Sequence, residues 1–108
     1  MKNLVRMLPL LLLAACATVN IPGNSVANPT LKSDIARMIN LVENAQAPGC
    51  HHQIIEAKYV GQEGNTYFEE WKVLSCGKEI IYPVKLTPSP QGGTDFSIKT
   101  PEKAARGN

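Results

Sequence analysis

No stretch of this 108-residue sequence carries a recognised catalytic signature. The serines, at positions 25, 33, 75, 89 and 97, lie in no G-x-S-x-G turn that would expose a nucleophile above a sheet. There is no H-E-x-x-H helix to hold zinc beside a general base, and no glycine loop shaped to cradle a phosphate. Without a C-x-x-C pair, no thiol is set up for redox exchange. These absences give the expectation that the protein is not an enzyme. Basic side chains are not gathered either. Eleven Lys and Arg stand against nine Asp and Glu, but Lys2 and Arg6 lie in the first fifteen residues, so the rest of the chain is neutral. No basic run with interleaved aromatics offers a footprint for nucleic acid. A membrane-crossing helix is not expected, because residues 4–15 would cover about 18 Å against a bilayer core of about 30 Å. Neither an internal repeat nor a second domain boundary is visible.

The opening residues carry a pattern of their own. Lys2 and Arg6 precede residues 8–13, apolar except for Pro9, and the run closes on Leu13-Ala14-Ala15-Cys16. This closely resembles a bacterial lipoprotein signal. The resemblance implies a signal peptide over 1–15, cleavage between Ala15 and Cys16, a diacylglyceryl thioether on Cys16 and acylation of the new amino group. Acyl chains at about 0.8 kcal/mol per buried methylene make such an anchor permanent. Ala17, where an Asp would otherwise retain the protein in lipoproteins of the enterobacterial type, implies export to the outer membrane. The expected location is therefore that membrane, with the domain in the periplasm or at the cell surface. The covalent lipid on Cys16 is the only attached group expected.

With Cys16 used by lipid, Cys50 and Cys76 remain, and in an oxidising compartment they are expected to pair. Closing that loop contributes roughly 3.5 kcal/mol in the chain-entropy account, a large share of the stability of so small a core. Residues 16–28, rich in Asn, Pro, Gly, Ser and Ala, read as a lipidated flexible tether. Residues 29–100 read as one α+β domain and 101–108 as a disordered tail.

Within the domain, Asn28 or Thr30 as N-cap and Leu31, Ile35, Met38, Ile39 and Val42 on one face predict a helix that Pro48-Gly49 stops. Alternating segments over 51–60, 66–76 and 79–87, and a short one around Phe96 and Ile98, predict a four-stranded antiparallel meander under that helix. If the first hairpin is symmetric about its two cysteines, with the turn over 61–65, Ile55 faces Trp71 and Tyr59 faces Tyr67. A Gly77-Lys78 loop then sets Trp71 opposite Val84 and Glu70 beside Lys85, and the last strand places Phe96 and Ile98 beside Leu86 and Val84. These pairings put Ile55, Trp71, Val73, Ile80, Tyr82, Val84, Leu86, Phe96 and Ile98 on the helix-facing side.

Two groups of polar residues stand out. Cys50-His51-His52 with Cys76 has the right atoms for zinc, but adjacent strand residues point to opposite faces, which leaves a closed site one ligand short, so no metal is expected. Glu69 falls on the apolar face near Tyr59 and Tyr67. Either the hairpin overhangs the helix and the carboxylate reaches water, or Tyr59, Tyr67 and Glu69 form an aromatic platform for a partner. The run Trp71-Lys72-Val73-Leu74-Ser75-Cys76-Gly77, with Tyr82-Pro83-Val84 and residues 92–96 after it, is similar to a W-x-V-x-x-C-G pattern of small uncharacterised Gram-negative lipoproteins. A looser similarity, in anchor, size and element order, is to the small lipoprotein subunit of the outer-membrane β-barrel assembly machine. Two functions follow as expectations: a non-enzymatic envelope lipoprotein that binds a protein partner or supports assembly, or a module that binds a small ligand or acts as an inhibitor.

Overall fold

A computed structural model describes residues 20–101. The leader, Cys16 and residues 102–108 lie outside the described residues, and so do the expectations placed on them. The elements run α1 (Pro29–Gln46), β1 (His52–Glu63), β2 (Thr66–Ser75), β3 (Lys78–Pro88) and β4 (Thr94–Ile98). The strands form one antiparallel sheet in the order β1-β2-β3-β4. The α+β architecture, with a Cys50–Cys76 bond, is the one the sequence predicts.

Helix α1 starts at Asn28, whose Oδ1 accepts from Leu31 N at 2.8 Å, with Pro29 in the first turn where a missing N–H costs nothing. Ile35, Ala36, Ile39 and Glu43 form its buried face. Met38, expected on that face, is 43% exposed, and Leu31 and Val42 are only partly covered. The stripe is therefore narrower than the apolar pattern implied, and it continues through a carboxylate.

The face of the sheet under α1 carries Ala57, Trp71, Val73, Ile80, Tyr82, Val84 and Leu86, all buried, with Phe96 and Ile98 packed against them. The β3–β4 pairs Val84↔Ile98 and Leu86↔Phe96 are as predicted. The other registers are not. In the first hairpin Ile54 opposes Val73, Ala57 opposes Trp71 and Tyr59 opposes Glu69, with irregularities between Ile54 and Glu56 and again between Tyr59 and Gly61. Each inserts one residue on β1. The first sets Ile54 rather than Ile55 opposite Val73. The turn is the two-residue loop Gly64-Asn65, Gly64 having φ +62°. The second hairpin turns at Cys76-Gly77, not Gly77-Lys78: both residues have positive φ, 50° and 80°, as a mirror-image two-residue turn requires. Trp71 thus opposes Tyr82, and Glu70 opposes Pro83 rather than Lys85. Shifting by two residues leaves every β3 side chain on its expected face.

Residues 20–28 differ most from the expected tether. Ile21 and Ala27 are each 8% exposed and belong to the core. Pro22 O accepts from Ala57 N at 2.9 Å, and Asn24 Oδ1 accepts from Tyr59 N at 2.9 Å, so this segment lies along the outer edge of β1. Gly23 makes the approach possible: at φ +122°, a Cβ there would stand 2.1 Å from Ala57 O.

Candidate functional site

Glu69 sits on β2 between Tyr59 and Val84, with its side chain on the core face and 1% exposed. Three donors surround the carboxylate. Ser25 Oγ donates to Oε1 at 2.8 Å, Val26 N to Oε2 at 2.7 Å, and Trp71 Nε1 to Oε1 at 2.9 Å. Ser25 Oγ in turn accepts from Ala27 N at 3.0 Å. A buried carboxylate is tolerated only when its lone pairs are used, and here they join the N-terminal segment, β2 and the core indole at one point. Glu69 neither reaches water past the helix nor stands on an aromatic platform. Tyr59 and Tyr67 do lie together, ring centroids 6.4 Å apart and tilted by 51°, both half-buried. The expected three-residue patch is thus an aromatic pair beside an internal fastener.

A second buried acid went unnoticed in the sequence. Glu43, fully buried on α1, accepts from Tyr82 Oη across the helix–sheet interface. Its position was available: 35, 39 and 43 follow the four-residue step, and β3 places a hydroxyl opposite. Cys50 and Cys76 have Cα atoms 5.1 Å apart. His52 turns to Asn40 on α1, with Nε2 to Oδ1 at 3.1 Å, and His51 is exposed. Among the described residues no three His, Cys, Asp or Glu side chains converge as metal ligands would.

The surface that remains open is the face of the sheet away from α1. Val60, Leu74 and Ile81 are exposed there at 46%, 37% and 39%. Lys72 lies between Glu56 and Glu79 at 3.7 and 3.9 Å, partly exposed pairs that add little stability. A shallow hollow of about 270 Å³ is lined by Val60, Phe68, Pro83, Lys85 and Lys99. The edge of β3 is also incomplete. Strand β4 pairs only from Val84 to Pro88, because Pro83 accepts from Lys99 N at 2.9 Å and has no N–H to return. Among the described residues no strand lies beside 79–81 on that side.

No protein-family model, curated protein or solved structure matches this chain. Apolar side chains set among paired charges beside an unpaired strand edge suit an extended polypeptide, whose backbone extends the sheet while its side chains use the hollow. Another hollow, about 370 Å³, lies where the start of α1 meets β3 and β4, lined by Val26, Leu31, Tyr67, Leu86, Pro88 and Thr94. No helix among the described residues is long and apolar enough to cross a membrane.

Proposed function

We propose that the protein is a non-enzymatic lipoprotein, anchored in the outer membrane by acyl chains on Cys16, whose domain binds a protein partner of the cell envelope. The observation that carries this reading is the sequence Leu13-Ala14-Ala15-Cys16 ahead of a domain stapled by Cys50–Cys76, since both belong to an exported chain in an oxidising compartment. Neither nucleic acid nor a metal enters the proposal.

The partner surface moves from the Tyr59, Tyr67 and Glu69 patch to the open sheet face and the edge at residues 79–81. Burial of Glu69 under Ser25 and Val26 removes the acid from the surface, whereas Val60, Leu74 and Ile81 are accessible. A photo-crosslinking side chain at Ile81, in living cells, is expected to give one discrete protein adduct that Phe68→Glu abolishes. Absence of any protein adduct from Ile81, Val60 and Leu74 contradicts partner binding by this face.

Binding of a small ligand has a specific location as its alternative: the 370 Å³ hollow at the start of α1. A ligand there would raise the melting temperature of the isolated protein, and Leu31→Trp, which fills the space, would remove the shift.

A further inference from the structure

We propose that the acylated protein lies against its own bilayer, with the β1 edge and the disulfide end of the sheet facing the lipid headgroups. The inference rests on the acylation of Cys16 put forward above. Chain length identifies the bilayer as the occupant of that face. A coil over 17–28 would reach about 40 Å at full stretch and let the domain tumble. Residues 21–27, however, are part of the fold: Ile21 and Ala27 are in the core, Pro22 and Asn24 hold β1, and Ser25 and Val26 hold Glu69. The span from Cys16 to Pro22 reaches about 20 Å at full stretch.

Direction matters as much as length. Pro22 is beside Ala57 and Asn24 beside Tyr59, so the segment runs parallel to β1 and its upstream end points toward His52 and the Cys50–Cys76 bond. From Ala57 the strand extends about 23 Å to either end of the hairpin, at roughly 3.3 Å per residue. Stretched along the edge, the chain carries Cys16 almost to the disulfide end. To reach the Gly64-Asn65 turn it would have to reverse and then cover more than its own length. A bilayer holding the acyl chains is therefore within reach of the β1 edge and the disulfide end, and the Gly64-Asn65 and Gly92-Gly93 loops lie at the far end of the sheet. Charge does not drive the contact. Lys58, Lys72 and Lys78 on this side are interspersed with Glu56 and Glu79, so it is independent of salt and of anionic lipid.

The acylated protein, recovered from membranes and reconstituted in phosphatidylcholine vesicles, is treated with a water-soluble lysine-acylating reagent. Modification of Lys58 and Lys78 is read relative to Lys85 in the same molecules. The comparison is a variant with about twelve Gly and Ser residues inserted between Ala17 and Thr18, which lets the domain leave the surface. Both ratios are expected to be lower by about threefold or more with the native tether, at low and high salt alike. Equal ratios in the two proteins, or preferential protection of Lys85, overturn the proposal. The mass of the N-terminal peptide separates the two levels of argument. An acylated Cys16 with equal ratios refutes the orientation alone, and an unacylated Cys16 refutes the anchor and the orientation together.

Discussion

Through its buried carboxylate, Glu69 accepts from Ser25 Oγ, Val26 N and Trp71 Nε1, and so ties the N-terminal segment to β2. Its side chain falls on the apolar face by simple alternation, and that much is legible. What is not legible is the partner, because Ser25 and Val26 come from a segment with no periodicity. Removing the carboxylate leaves Val26 N–H and Trp71 Nε1–H without their acceptor. Glu69→Ala is expected to cost about 3 kcal/mol or more in denaturant unfolding, because hydrogen bonds to a charged group contribute about 1.5–3 kcal/mol each. Glu69→Gln keeps one acceptor oxygen and should cost less. Trp71, fully buried, should cost about 3–5 kcal/mol on truncation to Ala, against well under 1 kcal/mol for Lys72→Ala on the opposite face. Equal losses for Trp71→Ala and Lys72→Ala would contradict the facing of β2. Glu43 carries the complementary lesson: its spacing from Ile35 and Ile39 puts it in the core, although no motif singles it out.

At the scale of elements, Gly23 and the Cys50–Cys76 bond hold the edges of the sheet. A methyl at Gly23 would collide with Ala57 O, so Gly23→Ala should lift the N-terminal segment from β1. Amide hydrogen exchange is then expected to speed up at Ala57 and Tyr59, which donate to Pro22 and Asn24, with the β2–β3 ladder unaffected. Uniformly faster exchange, or none, would refute the independent docking of this segment. The helix, the four strands and their order were readable from period and turn chemistry. Strand register was not, for a physical reason. Symmetry about the two cysteines assumed that they oppose each other within paired strands, whereas Cys50 precedes β1 and Cys76 occupies a turn position with positive φ. Two bulges on β1 then absorb the difference. The adjacent apolar pair Ile54-Ile55, which breaks the alternation, was the available sign of the first.

The whole molecule is a small core fastened at its ends. Helix, sheet and N-terminal segment meet at two buried acids, Glu43 and Glu69, and the disulfide closes the chain behind α1. Cys50→Ala should lower the melting temperature substantially, since the bond limits an unfolded chain whose folded state buries little surface. Nothing in the composition of the domain sets its location, because its charge is balanced. The proposed location rests on the sequence of residues 1–16, and it would account for the disulfide, which needs an oxidising compartment. Labelling with radioactive palmitate therefore tests the central claim most directly. Cells making the native chain are expected to yield a labelled, membrane-bound product of mature size, while Cys16→Ala should accumulate as an unlabelled precursor; a Cys16→Ala product that is processed to mature size and still carries palmitate would contradict the account.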